Sequence, residues 1–190
     1  MKLYIINNYR SKYEGISGRE LTDRLISFCL KSCYGDNSLV IKRKGKGKPY
    51  VAGEDGEADI DIFLSVSHSG DSFACVIDKN EIGLDIQYER EGKNAVHRDM
   101  KVARRFFSER EADMASDIGF YVIWARKEAF AKYTGLGMEE ILSKSPVFDR
   151  DDVYFTDMVI GEEPKLYISI CSEKRAFSEE DFNDEIHFFD

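Results

Sequence analysis

Two acids and a lysine set the chemical question. Asp85 lies in the run Gly83-Leu84-Asp85-Ile86-Gln87, and Glu128 and Lys132 stand four residues apart in the helix-prone stretch 123–135, which begins Ile-Trp-Ala-Arg-Lys-Glu. Positions i and i+4 of a helix share a face, so Trp124, Glu128 and Lys132 form one column. Taken alone, a Glu and a Lys one turn apart are an ordinary solvated pair. A second acid on a strand changes the reading. Magnesium is held through one or two carboxylates together with waters and substrate phosphate oxygens, so a strand Asp and a helix Glu brought together suit a diphosphate substrate.

Other residues point to an anion. Lys42, Arg43, Lys44, Lys46 and Lys48 crowd into seven residues without an acid, and the glycines among them let backbone approach a ligand closely. The same run also reads as a solvated basic loop. His68, in Ser67-His68-Ser69-Gly70-Asp71, can donate to a phosphate, as can its hydroxyl neighbours, and reads equally as a surface-loop histidine. Ser67, His68 and Asp71 make no nucleophile triad, because they crowd one turn and no elbow motif surrounds the serine.

These residues need elements to hold them. Leu3–Asn7 reads as a strand, followed by a polar loop. Ser17 and Glu20 form a capping box for a helix with Leu21, Leu25, Phe28 and Cys29 on its apolar side, closed by Gly35. Leu39–Ile41, Ile62–Val66, Phe73–Asp78 and Ile82–Gln87 read as strands, the middle two joined as a hairpin through the Ser67–Asp71 loop. Alternation places Asp85 and Gln87 on one face and Leu84 and Ile86 on the other, and a sheet face open to water explains that polar pair as well as a site does. Residues 94–107 are helical, with Arg98, Lys101, Arg104 and Arg105 as a basic face; Ser108 and Glu111 cap a further short helix. The central helix spans about Ile118 to Tyr133 and ends at Gly135; Val153–Ile160, Lys165–Cys171 and the edge segment Ile186–Phe189 complete the strands.

The order predicts an α+β fold of two halves, residues 1–90 and 91–190, meeting where the chain turns charged and irregular near 88–95. With 190 residues, 43% hydrophobic and 33% charged, the chain can bury a sizeable core. No apolar run is long enough to span a membrane and the N-terminus lacks a signal peptide's apolar core, so a cytoplasmic protein without membrane partners is expected. A net charge of -9 argues against nucleic acid as a partner. Cys29, Cys33, Cys75 and Cys171 show no metal-ligand pairing in their spacing and read as reduced thiols without chemistry.

In order along the chain stand Gly47-Lys48-Pro49, Ser67-His68-Ser69, Gly83-x-Asp85 and Trp124-x-x-Lys127-Glu128-x-x-x-Lys132. The sequence thereby resembles the 4′-phosphopantetheinyl transferases of the surfactin-synthetase-activating type; the four motifs span residues 47–132. The resemblance implies two similar α+β halves related by a pseudo-twofold axis, with coenzyme A bound between them. It implies transfer of the phosphopantetheine arm to a serine of an acyl or peptidyl carrier protein, with release of 3′,5′-ADP. Asp85 and Glu128 would hold Mg2+ or Mn2+, Glu128 would take the serine proton, and Lys132 would meet charge on the leaving phosphate. Lys48, His68 and, less firmly, Ser67 would hold the 3′-phosphate. Lys127 faces the nucleotide phosphates or solvent, Arg19 is a further nucleotide contact, and the Arg98, Lys101, Arg104 and Arg105 face would dock an acidic carrier. Many relatives carry an acid where Gln87 stands; an amide oxygen can ligate directly or through water but removes one negative charge. Two halves in one chain make a monomer the simplest state. A metal-dependent nuclease and a non-catalytic coenzyme A or nucleotide-binding module use similar parts and stay open as alternatives.

Overall fold

The computed structural model describes residues 1–13, 15–16, 18–35, 39–43, 47–53, 61–90, 92, 94–174 and 186–189. Its contacts divide the chain into two units, Met1–Ile82 with Phe177–Asp190, and Gly83–Ala176. The division falls at the start of a strand, earlier than the charged stretch near residue 90 suggests, and the C-terminal strand returns to the first unit.

In the first unit, the apolar run at the N-terminus forms β1 (Lys2–Asn7), and the segment read as a polar loop contains a short helix, α1 (Tyr9–Lys12). The long helix α2 (Gly18–Tyr34) buries Leu21, Leu25, Ile26, Cys29 and Leu30, and Gly35 ends it at φ 69°. Phe28, expected on the buried side, is partly exposed, with its ring edge-on to Phe189 at 4.9 Å. Ser17, the expected cap, lies outside the described residues. A ribbon pairs β2 (Val40–Arg43) with β3 (Pro49–Ala52), a strand the sequence does not announce. Next come β4 (Phe63–Ser69) and β5 (Ser72–Asp78), an antiparallel hairpin. With the C-terminal strand β9 (Ile186–Phe189), the sheet order is β4-β5-β1-β9, with β5 antiparallel and β9 parallel to β1. The core lies between α2 and this sheet, where Leu25, Ile26 and Cys29 meet Tyr4, Phe73, Cys75 and Ile77.

The second unit is built on β6 (Ile82–Tyr88), β7 (Tyr154–Ile160) and β8 (Leu166–Ser172), in the order β6-β8-β7. Between β6 and β7 run α3 (Ala95–Phe106), α4 (Glu109–Met114), α5 (Phe120–Thr134) and α6 (Met138–Leu142). The Ser108–Glu111 capping box is formed as the sequence predicts, and Gly135 closes α5 in the left-handed conformation. On α5, Ala129 and Phe130 pack with Val147, Val153 and Cys171, while Ile123 and Trp124 meet Phe107 and Phe120.

The units share a topology that no literal repeat betrays. In each, a strand leads to a long helix and then a hairpin whose second strand pairs with the first strand: β1, α2, β4, β5 in one and β6, α5, β7, β8 in the other.

Candidate active site

The site is set by how closely α5 approaches β6 within the second unit. At Gly83 an added Cβ would stand 2.0 Å from the Ala129 carbonyl oxygen and 2.6 Å from the Tyr133 nitrogen, so the helix backbone lies directly on the strand. Two residues on, Asp85 is therefore covered, and of the two readings of the polar pair the face open to water does not hold at Asp85. Asp85 is 1% exposed, and Leu84 and Ile86 are buried on the opposite face.

Burial of a carboxylate is costly without partners, and Asp85 has them. Its Oδ1 accepts from Lys132 Nζ at 2.7 Å and its Oδ2 from Gln87 Nε2 at 2.9 Å, while Lys132 also donates to the Leu84 carbonyl at 2.9 Å. The i,i+4 column on α5 thus faces β6: Lys132 reaches Asp85, Glu128 shares a hydrogen bond with Asp85, and the Trp124 indole N–H donates to Glu128. Burial first, then the neighbouring Asp85 charge, pushes the Glu128 carboxyl up to about 7, against the opposing pull of Lys132 and the Trp124 hydrogen bond. Near neutral pH this group exchanges its proton readily.

Such a donor set fits a hard divalent cation. Two adjacent carboxyl groups that hold a proton between them are relieved of their repulsion by a cation as well as by that proton. Among the described residues no group of three or more His, Cys, Asp or Glu side chains converges on a metal position, so the acids available are Asp85 and Glu128, with the Gln87 amide alongside.

Lys127 has a different place from the one expected. It faces neither solvent nor an open surface: its side chain is 2% exposed, and its ammonium pairs with Glu111 at 2.9 Å and donates to the Ser145 carbonyl at 2.7 Å. Burial lowers its pKa while Glu111 opposes that effect. The other expected contacts lie in the first unit. Lys48 Nζ pairs with Glu81 and donates to the Ile82 carbonyl at 2.7 Å. Ser67 and His68 stand on the strand β4, opposite Ala74 and Phe73, and not in a loop; the turn is confined to Gly70 and Asp71. Ser67 is buried, while His68 is exposed and lines a hollow of about 410 Å³ with Tyr9, Arg10, Tyr13, Ile16 and Leu21. Arg19 lines another hollow, with Glu20, Asp23 and Arg24. In the second unit, Arg98, Lys101, Arg104 and Arg105 are all exposed on α3, whose inward positions are Ala95, Asp99 and Ala103. Among the described residues no helix is long and apolar enough to cross a membrane.

Sequence reasoning missed two contributors. Gly83 is visible in the sequence only as part of a motif, and nothing local shows that α5 presses on it. Glu111 is visible as a helix cap; its partnership with Lys127 joins residues far apart in the chain.

Residues 81–182, just over half of the chain and all of the acid pair's setting, match the 4′-phosphopantetheinyl transferase superfamily. The chain is 32% identical over 127 residues to a 4′-phosphopantetheinyl transferase of Bacillus subtilis, covering 62% of this chain and 51% of that protein. It is 27% identical over 138 residues to one of Aneurinibacillus migulanus, covering 69% and 52%. It is 25% identical over 180 residues to the L-aminoadipate-semialdehyde dehydrogenase-phosphopantetheinyl transferase of Xenopus laevis, covering 90% and 59%. The chain spans about half the length of these curated relatives. On the extent of the matched region, which carries Asp85, Gln87, Glu128 and Lys132 together, the chain belongs to the 4′-phosphopantetheinyl transferase superfamily.

Proposed function

We propose that this protein transfers the 4′-phosphopantetheine arm of coenzyme A to a serine hydroxyl of an acyl or peptidyl carrier protein, releasing 3′,5′-ADP. The observation that supports this most is the covered Asp85–Glu128 pair, with Lys132 on one Asp85 oxygen and Gln87 on the other. The repeated strand–helix–hairpin order supports reading the chain as two like halves, with a monomer sufficient for activity.

Phosphoryl transfer asks a protein for positioning and charge more than for covalent chemistry. In the proposed step a bond forms between the serine oxygen and the phosphorus bearing pantetheine, and the bond from that phosphorus to the bridging oxygen of the leaving 3′,5′-ADP breaks. The serine proton goes to Glu128, directly or through a water. Lys132 orients Asp85 and supplies positive charge against the negative charge that develops on the leaving phosphate. Asp85 and Glu128 would hold Mg2+, which neutralises pyrophosphate charge when bound; Mn2+ satisfies the same oxygen donors. Lys48, His68 and Ser67 are assigned by their motifs to the 3′-phosphate, and the α3 basic face to an acidic carrier. Lys127 is left out of the substrate contacts because it is buried against Glu111.

Incubation with coenzyme A, Mg2+ and an apo carrier protein, followed by intact mass measurement of the carrier, tests the reading. The carrier gains one phosphopantetheine with the wild type and none with Glu128→Gln. A wild-type protein that binds coenzyme A yet modifies neither acyl nor peptidyl carriers would overturn it.

A further inference from the structure

The tightest polar cluster of the second unit lies on the side of α5 turned away from Asp85, and the proposed chemistry makes no use of it. Glu111 and Lys127 are each 2% exposed. Glu111 Oε1 accepts from the Val147 backbone N–H at 2.7 Å, and Oε2 accepts from the Ser108 N–H at 3.1 Å, the Ser108 hydroxyl at 3.0 Å and Lys127 Nζ at 2.9 Å. Lys127 also donates to the Ser145 carbonyl at 2.7 Å and stands 5.8 Å from the centre of the Phe107 ring. One ion pair thus ties the middle of α5 to the first turn of α4 and to the segment around residues 145–147.

A buried pair of this kind is a poor device for stability alone, since a well-packed apolar pair often serves as well. Its location suggests another use. Lys127 precedes Glu128, so the two side chains leave α5 about 100° apart in azimuth. Backbone contact at Gly83 sets how closely α5 approaches β6, and apolar packing of Ile123, Ala129 and Phe130 holds the helix against its neighbours. The ion pair adds a directional polar restraint on the rotation of α5.

Resting on the transferase reading, we infer that Glu111 and Lys127 are positioning residues that fix the rotation of α5 and thereby keep Glu128 against Asp85. A side-chain group about 5–6 Å from a helix axis travels about 1 Å when the helix turns by about 10°. A 1 Å misplacement of a reacting group lowers turnover by on the order of 100-fold. The clamp therefore acts on kcat, leaving coenzyme A affinity alone.

The test uses two variants. Glu111→Asp keeps the buried charge but shortens its reach to Lys127, and Lys127→Met with Glu111→Gln leaves no buried charge uncompensated. Trp124 supplies a readout that needs no activity: it is the chain's one tryptophan, and its ring packs on Phe106 at 5.7 Å and Phe107 at 6.3 Å, both outside α5, so its single indole resonance in a nitrogen–proton correlation spectrum shifts when α5 turns against them. In the folded double variant the indole resonance moves and kcat falls by about 10- to 100-fold at unchanged KM for coenzyme A. Glu111→Asp changes both in the same sense by less, and it decides the matter if the double variant does not fold. An unmoved indole resonance, a kcat within about twofold of wild type, or a loss of kcat and coenzyme A affinity together in step with melting temperature would overturn the inference. If the wild type modifies no carrier, the transferase reading fails, and the indole resonance alone then decides the clamp.

Discussion

Gly83→Ala isolates the contact on which the site depends. The added methyl would begin 2.0 Å from the Ala129 carbonyl oxygen, whereas ordinary contact begins at 3.4 Å, so α5 must withdraw by about 1.4 Å, the difference of the two. Neither Ala129 O nor Tyr133 N can step aside alone, because both belong to the helix backbone. Overpacking of this kind costs about 1–3 kcal/mol. For a chain of this size that lowers the melting temperature by about 2–12 °C. The same withdrawal draws Glu128 away from Asp85, and turnover falls by on the order of 100-fold. Differential scanning calorimetry and the carrier mass assay measure the two effects. Gly18→Ala is the control, since a methyl there meets nothing within 4 Å at an ordinary φ. A Gly83→Ala protein with wild-type melting and turnover would refute both the close approach and the role assigned to it.

The raised Glu128 carboxyl makes a pH prediction for the metal-free protein. Its pKa goes from 4.5 to about 7 on folding, so the native state binds more protons in that window; the contribution is full below 4.5 and lost as pH rises through 7. In chelator, wild-type stability should fall by about 3 kcal/mol relative to Glu128→Gln as pH rises from 4.5 to above 7, at about 1.4 kcal/mol for each pH unit between the two pKa values; parallel denaturation curves for the two proteins at both ends of that range would exclude it. Gln87→Glu replaces an amide that donates to Asp85 with a third carboxylate, and should tighten Mg2+ binding without changing the products, as titration calorimetry would show; unchanged affinity removes Gln87 from the cation's surroundings. Reversing Arg104 and Arg105 to Glu should slow carrier modification and weaken its salt dependence at constant coenzyme A affinity, and equal loss of both would end the docking assignment of α3.

What the sequence makes legible follows from the range of each signal. Periodicity and caps act within a few residues, so β1, α2, α3, the Ser108–Glu111 box and the Gly135 terminus of α5 can be read off directly. Short elements with little periodicity, α1, β3 and α6, cannot. Ser67 to Asp71 resembles a loop because turn formers cluster there, yet pairing with Phe73 and Ala74 carries the strand on to Ser69, an instance of tertiary pairing overriding local preference. The boundary of the units escapes for the same reason: β6 follows β5 in sequence but takes β8 as its neighbour, and charge density near residue 90 says nothing about strand pairing.

At the site, residue type reveals the acids but not their environment. In the sequence, Gln87 reads as a loss of metal-binding charge, and the structure gives it a compensating use. With Lys132 on one oxygen and the Gln87 amide on the other, Asp85 is pinned under a helix by two donors, while Glu128 next to it carries the raised pKa. The two carboxyls stand in unlike surroundings, Asp85 between two donors and Glu128 raised by burial and by the Asp85 charge. A third acid at position 87 would add charge for a cation but remove one of the two side-chain donors to Asp85 and place a further negative charge beside Glu128. Gln87→Glu should therefore bind the cation more tightly while, in chelator, raising still further the pH at which Glu128 loses its proton; a tighter cation with an unmoved Glu128 titration, read from its carboxyl carbon resonance in the metal-free protein, would show that Gln87 has no part in setting the surroundings of Glu128.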